Sequence, residues 1–99
     1  MPLLRITNTD SALWLEGEVD LSAEEDLTQA LDAASKHGTR TVDLSCVTFM
    51  DSTGLRVLLS GAAALNGSGP LVLRRPSRRV QMLLDLALPT GASGLLIER

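Results

Sequence analysis

The chain has 99 residues, a length that fits one domain. Its formal net charge of −3 disfavours a nucleic-acid-binding role, which normally needs a basic surface, and no apolar run approaches the length of a membrane span. The single cysteine, Cys46, excludes an internal disulfide and, with no signal peptide, predicts a cytoplasmic protein without direct membrane insertion.

Two short strands are predicted at the start of the chain. Leu4 and Ile6 occupy alternate positions, as do Leu13 and Leu15, and this alternation is typical of half-buried strands. The polar residues 8–11 separate the two runs, so we expect a hairpin. Gly17 is predicted to end the second strand.

The first helix is predicted over residues 23–36, followed by a short strand over 41–44. Ser22 and Glu25 have the S-x-x-E spacing of a capping box, and apolar residues then recur at helical spacing. Gly38 fits the position just after a helix C-terminus.

The second half of the chain alternates helices with strands. Leu55, Leu58, Leu59 and Ala62 predict a helix over residues 52–65, which the breaker cluster 66–70 ends. Residues 71–73 predict a strand buried on both faces, a third helix opens at residues 76–77, and 95–97 predict a last strand. The order ββαβαβαβ needs crossover connections. We therefore expect one α/β domain over residues 1–99, with a mixed, mostly parallel sheet and helices packed on it.

Three polar residues, Asp51, Ser52 and Thr53, stand where the second predicted helix begins, directly before its apolar repeat, with Gly54 beside them. Asp, Ser and Thr are common N-cap residues, so the simplest interpretation of this run is a helix cap. The first N–H groups of a helix also carry partial positive charge. A phosphate on Ser52 would therefore be stabilised there, which indicates a switch rather than a catalyst.

The longer segment 43–55, DLSCVTFMDSTGL, resembles the central motif of STAS domains, particularly the bacterial anti-sigma-factor antagonists. The second signature of that family, G-E-[LV]-D, is matched by residues 17–20. The resemblance extends from about Leu4 to Ile97. In the family the serine directly after the Asp is phosphorylated, and Ser52 occupies that position.

The resemblance implies a partner-switching cycle in transcription control. The unphosphorylated protein would bind an anti-sigma factor, which is also a serine kinase of the histidine-kinase-like ATPase fold, and so free a sigma factor. That kinase would phosphorylate Ser52 to end binding, and a metal-dependent serine phosphatase would reverse the modification. The expected partner surface comprises two segments that flank Ser52, namely Asp20, Leu21 and Ser22, and Asp51, Thr53, Gly54, Leu55 and Arg56.

Other interpretations stay open. Residues 20–22 fit a simple turn and cap as well as a partner contact. STAS subunits of bacterial lipid-transport ABC complexes, which bind the transporter ATPase constitutively, resemble this chain too. A scaffold subunit of a signalling assembly is a third class, but such proteins usually carry an additional N-terminal domain. The arginines at 74, 75, 78 and 79 fit either a solvated face or a docking site for an acidic partner.

The sequence predicts no catalytic, cofactor or metal site. The sole histidine, His37, lies at the far end of the first helix, and Ser52 therefore lacks an evident base. The chain contains no G-x-x-x-x-G-K-[ST] phosphate loop, and one cysteine with one histidine cannot supply a usual zinc site. We expect a protein that acts by binding and by being modified.

Overall fold

The computed structural model describes residues 3–65 and 67–99, and within them a five-stranded sheet carries three helices and one short 3₁₀ turn. The strands follow one another across the sheet in chain order. The first pair is antiparallel and every other pair is parallel. The elements are β1 Leu4–Asn8, β2 Leu13–Val19, the 3₁₀ turn Leu21–Ala23, α1 Glu24–Lys36, β3 Thr41–Met50, α2 Ser52–Ala64, β4 Leu71–Arg74, α3 Arg78–Ala87 and β5 Leu95–Glu98. This mixed α/β domain confirms the expected fold class.

The helices cover one face of the sheet. Each crossover from β2 to β5 steps to the next strand in the same direction, and right-handed connections then place all three helices on the same side. The burial of the strand residues agrees with that arrangement. Leu71 and Leu73 of β4 are buried, whereas Val72 is half-buried and Leu96 of β5 is 50% exposed. The core lies between the helices and this face and includes Leu13, Leu15, Leu27, Val42, Leu44, Leu58, Leu73, Val80 and Leu84.

The third strand is longer than predicted, since β3 runs from Thr41 to Met50 rather than over 41–44. Its second half pairs in parallel with β2, and two irregularities in that register interrupt the alternation of buried side chains. The prediction that Gly17 ends β2 is also wrong. Gly17 lies inside β2 with φ +111°, and a Cβ there would overlap the carbonyl oxygen of Leu3, so the strand continues through a residue that must be glycine.

The start of α1 differs from the capping box that the sequence predicts. The side chain of Asp20 accepts from the backbone N–H of Ser22 at 3.0 Å, and the Ser22 hydroxyl donates to the same carboxylate at 2.6 Å. A carboxylate is the stronger acceptor, so this hydroxyl is taken up by Asp20 and does not cap α1. The first turn is consequently 3₁₀, and Ala23, which precedes α1, makes no side-chain cap.

The remaining boundaries agree closely with the sequence. α2 begins at Ser52 and ends one residue before the predicted position, and α3 follows Ser77, whose hydroxyl accepts from the N–H of Val80. β4 is not buried on both faces as predicted, because its residues alternate between buried and half-buried. Asn66, part of the predicted breaker cluster, lies outside the described residues.

Candidate functional site

The two segments of the expected partner surface lie side by side at one end of the sheet. Val19 and Met50 are register partners at the ends of β2 and β3, and the N–H of Asp51 donates to the carbonyl of Val19 at 3.2 Å. The turn that follows Val19 therefore lies next to the residues that open α2. The length of β3 makes this possible, because a strand ending near residue 44 would not reach the end of β2.

Asp51 caps α2 and leaves Ser52 on the surface. One oxygen of the Asp51 carboxylate accepts from the N–H of Thr53 at 2.9 Å and from the N–H of Gly54 at 3.1 Å. The cap predicted for this run is thus supplied by the carboxylate alone. Ser52 is the first residue of α2 and is exposed, so its hydroxyl stands outside the cap at the positive end of the helix.

Gly54 and Leu55 position this surface from beneath and contribute little area to it. Both residues are buried, and Leu55 belongs to the core cluster. A Cβ at Gly54 would lie 2.7 Å from Cγ1 of Val19 and 2.8 Å from its carbonyl oxygen. The absence of a side chain at Gly54 therefore allows α2 to approach β2.

We expect Gly54→Ala to lower the free energy of unfolding by about 1–3 kcal/mol, because the new methyl group must displace the backbone of Val19. Gly61→Ala on the same helix is the matched control. Its Cβ would meet the flexible tip of Leu31 at 3.2 Å and Cδ2 of Leu71 at an ordinary 3.9 Å, and alanine is favoured over glycine within a helix by about 1 kcal/mol. Urea melts of both variants measure the difference, and equal stabilities would contradict the close approach at Gly54.

An ion pair connects α2 to α1 beside Ser52. Nη2 of Arg56 lies 2.9 Å from Oε2 of Glu24, and both side chains are partly exposed to water, by 64% and 40%. An exposed pair of this kind contributes little to stability. Residues four apart are neighbours on a helix face, so Arg56 is also the cation nearest in sequence on the face that carries Ser52.

Two exposed apolar side chains flank the site. Leu21 follows Asp20 and is 67% exposed, and Phe49, which precedes Met50 on β3, is 38% exposed. Exposed apolar groups beside polar ones are common at protein contact sites. Sequence analysis missed Phe49 because the segment was predicted to be a loop, although the only phenylalanine of the chain, next to the expected phosphorylation motif, was a usable signal.

The structure divides the arginine cluster into two parts. Arg74 and Arg75 both bind Oδ2 of Asp43, with Nε of Arg74 at 3.0 Å and Nη2 of Arg75 at 2.6 Å, and both guanidinium groups lie over the ring of Trp14, 5.2 and 5.3 Å from its centroid. These two residues therefore bind within the domain, although the Arg75 side chain stays 53% exposed. The other two arginines, at 78 and 79, are exposed at the start of α3.

Asp43 is fully buried and ionised. Burial raises the pKa of its carboxyl, but hydrogen bonds from Ser45, Arg75 and Arg74 outweigh that effect and lower the pKa to about 2. The same carboxylate holds Arg75 in a left-handed conformation, φ +50°, which costs energy for a residue other than glycine. This cluster is structural. It holds the turn between β4 and α3 on the face of the sheet away from the helices.

Within the described ranges, no group of three or more His, Cys, Asp or Glu side chains is placed to hold a metal ion. A separate survey of helix length and hydropathy over the same residues finds none suited to crossing a membrane.

Comparison with known proteins identifies this architecture. A family model described as "Mlab, STAS domain" matches residues 3–96, while none of the curated proteins compared matches the sequence. An anti-sigma factor antagonist from Mycobacterium paratuberculosis superposes with a TM-score of 0.63 at 25% identity, covering 94% of this chain and 83% of that one.

The anti-sigma factor antagonist SpoIIAA superposes in two states. Its unphosphorylated form has a TM-score of 0.64 at 20% identity and covers 97% of this chain and 87% of its own. The phosphorylated form, from Bacillus, has a TM-score of 0.62 at 19% identity, with 97% and 91% covered. At these identities the superpositions establish a common fold.

Proposed function

The chain belongs to the STAS domain family, and on that premise we propose that it is an anti-sigma-factor antagonist controlled by phosphorylation of Ser52. Its partner is an anti-sigma factor that is also a serine kinase of the histidine-kinase-like ATPase fold. A metal-dependent serine phosphatase restores the active form. In this proposal the chain is a ligand and a substrate, and it catalyses no reaction itself.

One observation carries the proposal: the exposed hydroxyl of Ser52 opens α2 while the neighbouring carboxylate of Asp51 performs the capping. A kinase can therefore modify Ser52 without removing a cap from the helix. The adjoining turn at Asp20 and the exposed Leu21 supply polar and apolar contacts next to it. An anti-sigma factor antagonist and a phosphorylated form of SpoIIAA are also among the solved structures that superpose on the chain.

The electrostatics of the site suit a switch. Phosphorylation adds about −1.5 to −2 charges at pH 7. The positive end of α2 and the Arg56 side chain one turn later offset that charge within the domain, so we expect the fold to survive. A partner that fits the neutral hydroxyl must instead desolvate a dianion beside the carboxylates of Asp20 and Asp51. A loss of about 4 kcal/mol by this route weakens binding about a thousandfold.

The second candidate function is that of a STAS assembly subunit in a bacterial lipid-transport ABC complex, bound to its ATPase. The matching family model is described as Mlab, a description that names no sigma-factor role. The exposed Leu21 and Phe49 also suit a permanent apolar contact. This function uses the same surface but needs no phosphate on Ser52.

Incubation with ATP and the serine kinases encoded in the same genome tests the proposal. We expect one kinase to add a single phosphate, on Ser52 and not on Thr53, because Ser52 is exposed whereas Thr53 is half-buried and its N–H is held by Asp51. Peptide mass spectrometry locates the phosphate. Ser52→Ala is the control and should take up none.

Phosphate found mainly on Thr53 would refute the residue assignment. Affinity capture from the native cell separates the two candidate functions, since recovery of a small kinase-like ATPase supports the antagonist and recovery of an ABC ATPase supports the assembly subunit. Absence of phosphate with every kinase tested, together with capture of an ABC ATPase, would overturn the proposed switch.

A further inference from the structure

A cavity of about 160 Å³ lies between the second halves of α1 and α2, above the starts of β3 and β4. Its walls are mainly apolar and include Leu31 and Ala34 from α1 and Val57 from α2. The expected partner surface around Ser52 lies at the other ends of these two helices. Neither the proposed switch nor the alternative function uses this cavity.

Small residues on the facing sides of the two helices create the space. At Gly61 a Cβ would lie 3.2 Å from Cδ1 of Leu31, so the helices approach closely at that level. One turn further along α2, Ala64 lines the cavity, and Ala34 lines it from α1. Both side chains end at a methyl group and leave the gap between the helix ends unfilled.

The mouth of the cavity carries a positive charge. The half-buried Arg40 lies there, and its guanidinium donates to the carbonyl oxygen of Ser68. Among residues 3–65 and 67–99, no carboxylate lies within ion-pair distance of Arg40. The acidic group at the mouth, Asp32, is exposed and paired with Lys36 at 3.1 Å. The arrangement favours an anionic group beside Arg40.

We propose that this cavity binds a small monocarboxylate, with its apolar chain between α1 and α2 and its carboxylate at Arg40. An apolar cavity of roughly 150 Å³ accommodates a benzene-sized group, whereas drug-sized ligands occupy roughly 300 Å³ or more. The volume therefore suits a chain of about five or six carbons. Hexanoate is the matching probe, and hexan-1-ol is the probe of similar size without the charge.

Titration of the ¹⁵N-labelled protein with hexanoate tests the site. We expect the shifted amides to cluster around Leu31, Gly61 and Ala64. Ala64→Leu should weaken hexanoate binding at least about tenfold, because the longer side chain fills the cavity. Ala63→Leu is the matched control, since Ala63 is exposed on α2 as Ala64 is, but lies outside the cavity lining. Thermal melts verify that both variants fold.

The role of Arg40 is tested separately. Arg40→Gln should weaken hexanoate binding about tenfold, through loss of a charged hydrogen bond, and change hexan-1-ol binding less than about twofold. Arg40→Lys, which keeps the charge, should recover part of the hexanoate affinity. The proposal is overturned if the shifts lie elsewhere, if Ala64→Leu binds hexanoate as well as Ala63→Leu, or if Arg40→Gln weakens both probes equally.

Discussion

Ser52→Asp is expected to weaken binding of the proposed kinase partner about a thousandfold while the domain stays folded. The new carboxylate stands at the positive end of α2, beside the Asp51 cap, so its charge suits the helix even though it opposes the partner. Calorimetric titration gives the affinity, and urea melts give the stability. If Ser52→Asp unfolds the domain, the expected tolerance of the fold is contradicted. Its loss of binding would then give no support to the switch.

Two control variants isolate the effect of charge at position 52. Ser52→Ala should bind the partner normally and cost less than about 0.5 kcal/mol, because Asp51 rather than Ser52 caps the helix. Ser93→Asp adds the same charge in the exposed loop before β5 and should leave binding unchanged. Equal losses of affinity in Ser52→Asp and Ser93→Asp would show that net charge alone governs the interaction.

Asp43→Asn is expected to lower the free energy of unfolding by about 3 kcal/mol. The substitution keeps the shape of the side chain but leaves the guanidinium groups of Arg74 and Arg75 without their anion. Removing one partner of a buried ion pair costs roughly 3–5 kcal/mol, and the lower end applies because both arginines reach water. The single tryptophan, Trp14, lies beneath both guanidinium groups and reports the loss by its fluorescence.

The same carboxylate makes stability depend on acid pH. Its pKa is about 2 in the folded protein against 3.8 ordinarily, so the unfolded chain takes up a proton first as the pH falls. The contribution, about 2 kcal/mol, is complete above pH ~4 and disappears as the pH falls through ~2. Asp43→Asn should remove this part of the acid sensitivity. Asp32→Asn, which breaks an exposed pair with Lys36, should change stability by less than about 1 kcal/mol.

Local pattern determined most of the secondary structure. The apolar stripe of α2, the Ser77 cap before α3 and the alternation in β1 and β2 each depend on residues a few positions apart, so these elements lie close to their predicted bounds. The alternation of strands with helices also determined the parallel sheet, because a parallel pair needs a crossover. The position of Ser52 at the start of a helix was readable for the same reason.

Tertiary structure decided the features that join distant residues. The second half of β3 lacks strand periodicity and is a strand because β2 supplies its hydrogen-bonding partners. Asp20 competes with the predicted cap for the Ser22 hydroxyl, and pairing at the strand ends then brings that turn against Asp51. The expected meeting of the two segments is therefore present, although its geometry depends on a strand that local pattern did not reveal.

The ion-pair cluster of Asp43, Arg74 and Arg75 was the feature that the sequence predicted least. Asp43 appears within an apolar strand, and Arg74 and Arg75 follow it by 31 and 32 positions. The run of arginines is typical of a solvated face. The sequence does not show which of these cations pairs with a buried carboxylate. Parallel pairing of β3 with β4 places Asp43 opposite Arg74, and the left-handed turn at Arg75 brings the second guanidinium over Trp14. The ion pair therefore depends on the register between β3 and β4, which the order of charges along the chain does not show.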